Sequence, residues 1–129
     1  MTGIRIYYED TDAGGVVYYA NYLRYLEQGR TEFLRERGLS VRELQERGFL
    51  LPVIRLEIDY LAPAVLDDLL RVETAVLGVT GGSLTLGQKV IRLADGTLLA
   101  DARVTLACLG PGRRATRLPA ELVHALKGN

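Results

Sequence analysis

Residues 8–23 read YEDTDAGGVVYYANYL, and this stretch decides how the rest of the chain is interpreted. Residues 9–16 hold three acids and two glycines, a composition that is typical of a loop and unsuited to the interior of a helix or strand. From Val17 to about Arg37 there is neither proline nor a turn cluster, and apolar side chains recur at helical spacing. The sequence therefore predicts an acidic loop that leads directly into a helix of about 21 residues, roughly 31 Å long.

Local signals also predict the elements on either side of this helix. Gly38 is placed at the helix C-terminus, because glycine readily adopts the left-handed conformation found there. Residues 40–43, Ser-Val-Arg-Glu, form a capping-box pattern that predicts a short second helix closing at Gly48. Before the loop, residues 2–8 have the partial alternation of a short strand.

The second half of the chain changes to the two-residue period of β-strands. Strands are predicted over residues 53–60, 69–79, 83–93 and about 98–109, with turns at residues 80–82 and 95–96, and Pro119 starts a short helix that ends near Lys127. The first of these strands places Ile54, Leu56, Ile58 and Tyr60 on one face. A helix packed on one face of an antiparallel sheet is an α+β arrangement. Small residues at Gly29, Ala100 and Ala102 would let the helix approach the sheet closely.

Size and composition limit the class of protein. A chain of 129 residues fits a single domain, residues 1–129, with one hydrophobic core. Sixteen basic residues balance sixteen acidic ones and no Lys/Arg block is present, so nucleic acid is not an expected partner. No apolar run approaches the roughly 20 residues of a membrane span, and no secretory leader pattern is visible. We therefore expect a cytoplasmic protein without a transmembrane segment.

Scarcity of certain side chains restricts the possible chemistry. The single cysteine, Cys108, excludes an internal disulfide, and the single histidine, His124, excludes a metal site built from several Cys or His. No metal site is predicted. Serine-histidine or cysteine-histidine catalysis would have to recruit His124 from the far end of the chain. If the chain is a hydrolase, a carboxylate is the expected working group.

The acidic loop could supply that carboxylate. It brings acids to the start of a helix, where free N–H groups and the helix dipole favour the negative charge that an attacked thioester carbonyl develops. A thiol leaving group, with a pKa of about 8.5, departs without much help from a general acid. On the residues alone, however, Asp10, Thr11 and Asp12 fit ordinary turn-forming and helix-capping roles better than catalysis.

The wider motif reverses that preference. The chain resembles the hotdog-fold thioesterases of the 4-hydroxybenzoyl-CoA thioesterase family, particularly the bacterial acyl-CoA thioesterase branch associated with the Tol-Pal envelope system. The residues that carry the resemblance are Tyr8-Glu9-Asp10-Thr11-Asp12, Gly15-Val16-Val17-Tyr18, Asn21-Tyr22-Leu23, and Glu27 with Arg30. The order of the predicted elements matches the family along nearly the whole chain.

This resemblance implies a fold, a reaction and a set of site residues. The fold would be an antiparallel five-stranded sheet wrapped around the long helix, and the activity would be hydrolysis of acyl-CoA thioesters. Asp12 would be the catalytic carboxylate, and the backbone N–H of Tyr19, in the first turn of the helix, would polarise the thioester oxygen. Gly15, Val16, Val17 and Tyr18 would contact the substrate. Close relatives commonly carry histidine at the position of Tyr19, so no role for a histidine is transferred.

The resemblance also has implications for oligomeric state and cofactor use. The resemblance implies a homodimer with the site at its interface, and dimers that associate further into tetramers. No cofactor is expected, because coenzyme A is part of the substrate. Basic residues that hold its phosphates in some relatives are missing from the turn at residues 80–82, which leaves Arg92, Arg113 and Arg114 as candidates.

The sequence leaves more than one role open for several residues, and more than one function for the chain. Glu27 is the reserve catalytic residue, since other hotdog branches use a helix glutamate. It could also brace the loop together with Arg30, or form a simple surface pair with it. His124 is expected to be structural or exposed, and Cys108 to be a buried small hydrophobe. An acyl carrier protein thioesterase, a hotdog hydratase and a non-catalytic acyl-thioester binding protein are the alternative functions.

Overall fold

A computed structural model describes residues 3–127. Its strands are β1 (Ile4–Arg5), β2 (Val53–Tyr60), β3 (Leu69–Val79), β4 (Ser83–Arg92), β5 (Leu98–Ala107), β6 (Leu109–Gly110) and β7 (Arg114–Ala115). Its α-helices are α1 (Asn21–Glu36), α2 (Val41–Glu46) and α3 (Ala120–Lys127), and short 3-10 helices cover Tyr8–Asp10 and Pro111–Arg113.

Five strands form one antiparallel sheet in the order β1-β3-β4-β5-β2. The central meander from β3 to β5 is built by the two turns expected from the sequence. In the second of these, Gly96 adopts a φ of 73° and donates its N–H to the Arg92 carbonyl oxygen over 2.8 Å. The predicted α+β arrangement of a five-stranded antiparallel sheet with one long helix is therefore confirmed, and β1 and β2 are its edge strands.

The β2 strand follows the predicted alternation only in its middle. Leu56 and Ile58 face the core, whereas Ile54 is 62% exposed. The register against β5 shifts between Val53 and Arg55, so Ile54 is the extra residue of a bulge. A bulge changes the direction of a side chain, which explains why periodicity alone placed Ile54 inward.

The long helix lies against the inner face of the sheet. A Cβ atom added at Gly29 would lie 2.5 Å from Val72 Cγ1, so only glycine allows the helix to approach β3 this closely. The sequence expectation that Gly29 serves a close helix–sheet contact is confirmed. Its partner is Val72 of β3, and not the small residues of β5 that the sequence suggested.

The start of the helix differs from the prediction. The helix begins at Asn21 rather than near Val17. Val17 donates its N–H to the Ala64 carbonyl oxygen over 2.9 Å, and it forms a bridge with Thr11, so it is tied into extended pairing. These partners are remote in sequence or lie in the loop, and helical periodicity does not reveal them.

The ends of the first two helices agree with their local signals. Gly38 follows α1 with a φ of 80°, and Ser40 Oγ accepts the Glu43 N–H over 3.1 Å at the start of α2. The first strand, in contrast, is shorter than predicted: β1 spans only Ile4–Arg5, and position 2 lies outside the described residues. Within residues 3–127, no helix has the length and apolar character needed to cross a bilayer.

The core consists of two neighbouring clusters under the helix. Tyr22, Tyr25 and Leu26 belong to the first, and Phe33 and Leu34 to the second, to which α3 contributes Leu122 and Leu126. Along the inner face of β4, the buried Gln88 separates the residues of the two clusters. Its side-chain amide donates to the Leu26 carbonyl oxygen over 2.9 Å, so the helix backbone is tied to the sheet at this point.

Candidate active site

Asp10 forms the buried base of the acidic loop. Only 6% of the residue is exposed, and its Oδ2 accepts the Tyr7 N–H over 2.9 Å. Its carbonyl oxygen accepts the Tyr18 N–H at 3.0 Å and the Asn21 side-chain amide at 3.1 Å. Burial, and next the charge of Asp10, raise the pKa of the Tyr25 phenol well above its usual range. Asp10 therefore ties the two ends of the loop together.

Asp12 lies two residues further along, on the exposed rim of the same loop. Its backbone N–H donates to the Val16 carbonyl oxygen over 2.9 Å, and its carbonyl oxygen accepts the Gly15 N–H over 3.0 Å. The Oδ1 atom accepts the Gly14 N–H over 2.8 Å. Oδ2 has no hydrogen-bond partner among the described residues, so a carboxylate oriented by the backbone presents one free oxygen to solvent.

Two backbone N–H groups are unpaired where the loop enters α1. Within residues 3–127, neither the Tyr19 N–H nor the Ala20 N–H has an acceptor, while the Tyr18 carbonyl oxygen accepts the Asn21 N–H over 2.9 Å. Tyr19 was predicted to lie in the first turn of the helix. It lies instead in the tight turn that precedes Asn21, because Val17 is held in extended pairing. Free N–H groups at this position can stabilise negative charge.

Tyrosines surround this turn. The rings of Tyr18 and Tyr19 lie 4.9 Å apart, and Tyr60 at the end of β2 meets Tyr19 edge-on at 6.2 Å and Tyr22 edge-on at 5.2 Å. Tyr18 and Tyr19 are exposed, whereas Tyr22 is buried. The exposed rings therefore form an aromatic surface beside the two free N–H groups.

The four residues predicted to contact substrate occupy different environments. Gly15, with a φ of 79°, and Tyr18 are exposed, and Val16 is half-buried. Val17 is only 5% exposed and packs in the core with Ile6 and Leu70. Its side chain therefore belongs to the core, and substrate contact at Val17 stays a prediction.

Within residues 3–127, neither Glu27 nor Arg30 forms a side-chain hydrogen bond to the acidic loop. Arg30 reaches across to β4, where its Nη1 donates to Gln88 Oε1 over 3.2 Å, and burial lowers its pKa. The exposed Glu27 lines two clefts on either flank of α1, with volumes of about 550 Å³ and about 320 Å³. The second cleft is lined mainly by apolar residues of α1, α2 and the segment before β2. The buried Gln88 link gave no signal in the sequence, since glutamine usually lies at the surface.

A sequence model of the thioesterase-like superfamily matches residues 7–126, which include the loop, the helix and every strand from β2 onward. The chain belongs to the thioesterase-like superfamily. The resemblance carried by residues 8–23 and by Glu27 with Arg30 is thereby confirmed.

Individual members of the superfamily resemble the chain along most of their length. It is 40% identical over 125 residues to the acyl-CoA thioester hydrolase YbgC of Escherichia coli O6:H1, covering 96% of this chain and 92% of that protein. It is 45% identical over 111 residues to the acyl-CoA thioesterase YbgC of Haemophilus influenzae, covering 85% and 80% respectively. A solved 1,4-dihydroxy-2-naphthoyl-CoA thioesterase from Synechocystis matches with a TM-score of 0.88 at 26% identity, covering 98% of this chain and 93% of that one. The hotdog fold is confirmed.

One arginine that the sequence suggested for phosphate binding already forms hydrogen bonds within this thioesterase-like chain. Arg92 donates from Nε to Asp68 Oδ2 at 3.0 Å, from Nη1 to Asp95 Oδ2 at 3.1 Å and from Nη2 to the Pro63 carbonyl oxygen at 2.7 Å. It therefore holds the segment before β3 against the β4–β5 turn. Arg92 is not a free cation, which corrects its candidacy.

Other arginines, in the segment between β5 and α3, are accessible. Arg113 and Arg114 are exposed. Arg117 was not considered from the sequence, yet its guanidinium group lies 3.2–3.4 Å from the point where a Cβ atom on Gly81 would stand. The C-terminal segment thus places a basic side chain on a turn that has none of its own. His124 is exposed and Cys108 is buried, as expected.

Proposed function

We propose that this protein hydrolyses acyl-CoA thioesters to the free acid and coenzyme A, with Asp12 as the catalytic carboxylate and the Tyr19 N–H as an oxyanion donor. The observation that carries the proposal is that, within residues 3–127, the backbone-oriented carboxylate of Asp12 has a free Oδ2 and the same segment enters α1 with N–H groups that have no acceptor. The first group can act on water or on a carbonyl carbon. The second can stabilise the oxygen of the same carbonyl.

The chemical step needs no further protein group. Asp12 accepts a proton from a water molecule that attacks the carbonyl carbon, or attacks that carbon itself and is released by water afterwards. In both routes a C–O bond forms, negative charge develops on the carbonyl oxygen, and the C–S bond breaks. The sulfur keeps the bonding electrons and leaves as a thiolate, because its pKa of about 8.5 makes it a good leaving group. No cofactor enters this scheme.

Arg113, Arg114 and Arg117 are our candidates for the phosphates of coenzyme A. Arg92 is not among them, because its guanidinium group is occupied by two carboxylates and a carbonyl oxygen. Arginine suits phosphate through its planar, forked arrangement of donors. Arg117 adds a basic group at the Thr80–Ser83 turn, which contains no basic residue.

We extend the proposal to a homodimer formed along β2. This strand is an edge of the sheet, and such edges offer unpaired backbone groups to a second chain. Apolar side chains are exposed beside it, with Ile54 at 62% and Leu61 at 57%. Tyr19 and Tyr60 lie at the same edge, so a partner there would cover the aromatic surface of the site. The outer sheet face would serve further association into a tetramer.

A cytoplasmic location is also part of the proposal. The single cysteine is buried and unpaired, so the fold does not depend on an oxidising compartment. Coenzyme A esters, the proposed substrates, would have to be present in the same compartment.

A free-thiol release assay tests the proposed reaction. Short-chain, long-chain and aromatic acyl-CoA esters, and the matching acyl carrier protein esters, would be incubated with the wild type, with Asp12→Asn and with Glu27→Gln. We expect turnover of at least one CoA ester by the wild type and by Glu27→Gln, and loss of turnover in Asp12→Asn. Turnover of carrier-protein esters alone would change the substrate class.

Two further outcomes would overturn the assignment. Loss of turnover in Glu27→Gln with retention in Asp12→Asn would transfer the catalytic role to the helix glutamate. Tight binding of acyl-CoA without any thiol release by the wild type would make the protein a binding module.

A further inference from the structure

Tyr60 connects the end of β2 to the entry of α1, although it lies 41 residues from Tyr19 in sequence. Its hydroxyl group donates to the Tyr19 carbonyl oxygen over 3.0 Å. Its ring meets Tyr22 at 5.2 Å and Tyr19 at 6.2 Å, both nearly perpendicular, so the ring is held from two sides. The hydroxyl group is therefore placed on the helix entry by packing as well as by its own hydrogen bond.

That hydrogen bond acts on a particular peptide unit. The Tyr19 carbonyl and the Ala20 N–H belong to the same planar group and point in opposite directions, so holding one end orients the other. The Ala20 N–H has no acceptor in the described part of the chain. Among the described residues, the only other donor to the Tyr19 carbonyl oxygen is the Tyr22 N–H, at 3.3 Å. The preceding peptide is held more closely, since the Tyr18 carbonyl oxygen accepts the Asn21 N–H at 2.9 Å.

We propose that Tyr60 is a positioning residue that directs the Ala20 N–H, beside the Tyr19 N–H, toward the thioester oxygen as a second oxyanion donor. The inference rests on the proposed hydrolysis at Asp12. Donation by the phenol also polarises the Tyr19–Ala20 peptide and makes its N–H a stronger donor. Tyr60 itself touches neither the substrate nor the reacting atoms in this scheme.

Tyr60→Phe tests this role because it removes the hydroxyl group and keeps the ring. Loss of a whole oxyanion donor lowers kcat by about 10²–10³-fold, and loss of its orientation should lower kcat by about three- to tenfold. KM should stay within about twofold, since the contact matters when charge develops. The amide resonance of 15N-labelled Ala20 should shift, because the hydrogen bond on its own peptide group is lost.

Tyr22→Phe is the matched control from the same ring cluster. The Tyr22 hydroxyl group accepts the Ala64 N–H over 3.2 Å and does not contact the Tyr19 carbonyl. Its removal should lower Tm by several degrees, as expected when a buried N–H loses its acceptor, and leave kcat within about twofold. Tyr60→Phe should show the opposite pattern, with kcat reduced and Tm nearly unchanged.

The outcomes separate this inference from the proposed function. If the wild type hydrolyses CoA esters through Asp12 but Tyr60→Phe keeps its kcat, or loses only stability, the role of Tyr60 is wrong and the function stands. If the wild type has no turnover, or if Asp12→Asn is fully active, both proposals fail. An unchanged Ala20 resonance in Tyr60→Phe would also overturn the positioning role, whatever the effect on kcat.

Discussion

The base and the rim of the acidic loop carry the same side chain in opposite environments. Asp10 is buried, its Oδ2 accepts a backbone N–H, and its carbonyl oxygen joins the two ends of the loop. Asp12, two residues away, is exposed and has one carboxylate oxygen free within residues 3–127. Both residues are held by backbone hydrogen bonds. The difference is that the carboxylate of Asp10 faces the interior of the loop, whereas that of Asp12 faces solvent.

The largest expected effect comes from Asp12→Asn. We expect kcat to fall by about 10³-fold, because the neutral amide cannot accept a proton or attack a carbonyl. Tm should change by less than about 2 °C, since the asparagine oxygen can still accept the Gly14 N–H. Steady-state kinetics and thermal unfolding on the same preparation measure both quantities. If Tm fell as much as is expected for Asp10→Ala, the carboxylate at the rim would stabilise the loop as much as the one at the base, and the contrast between them would be wrong.

Asp10→Ala should have the opposite effect, with a lower Tm and a smaller change in kcat. The part-buried Tyr7 N–H loses its acceptor, which costs about 1 kcal/mol of unfolding free energy, or roughly 3–5 °C in Tm for a chain of this size. Asp10→Asn is the matched control, because its amide oxygen can still accept this N–H and should restore most of the loss. Thermal unfolding followed by circular dichroism measures the difference. Equal Tm values for the two variants would show that the acceptor at Asp10 does not stabilise the loop.

Gly14→Ala tests how strictly the rim orients its carboxylate. A Cβ atom at Gly14 would lie 3.2 Å from Asp12 Oδ1, a distance at which the carboxylate must move by a few tenths of an ångström. We expect kcat to fall by up to about tenfold, because a misplaced catalytic group loses effective concentration.

Gly38→Ala is the glycine control for this experiment. Its φ is 80° with open space around it, so alanine there should cost about 1 kcal/mol of stability and leave kcat unchanged. Identical kinetic effects in the two glycine variants would argue against a local action on Asp12.

The smallest effect concerns alkaline pH. Burial and the Asp10 charge raise the pKa of Tyr25 above its ordinary value of 10.0. Above about pH 10 the unfolded chain releases this proton while the folded protein retains it, so stability is fully present below pH 10 and decreases as pH rises. Tyr25→Phe should reduce the slope of unfolding free energy against pH in this range, measured by urea unfolding at about pH 8 and about pH 10.5. An unchanged slope would show that Tyr25 does not contribute.

The sequence predicted elements well wherever the signal was local. The bounds of β2 and β3 agree with the prediction, because alternation and turn residues specify strands without help from distant segments. Ser40 and Gly38 likewise act on neighbouring backbone groups. The start of α1 was wrong, since Val17 is held in extended pairing by Ala64, which lies 47 positions away and carries no recognisable motif.

The candidate site shows the same contrast between local sequence signals and contacts from distant segments. Asp12 and Tyr19 were predicted because they lie inside one continuous motif. Tyr60, Gln88 and Arg117 were missed as partners of the site or helix, because each reaches its contact from a separate strand or from the C-terminal segment. Arg92 was predicted as a free cation for a related reason, since its partner Asp68 lies 24 positions away and becomes a neighbour only in the folded sheet.

Through family resemblance the motif around residues 8–23 points to Asp12, but by itself the sequence determined the order of helices and strands and the scarcity of alternative catalytic side chains. Those properties depend on composition and on contacts within a few residues. The tertiary structure decided that Asp10 is buried, that Val17 belongs to the core and that Tyr60 holds the helix entry. Each of these depends on which distant segments pack against the loop, and the sheet brings those segments together only when the chain folds.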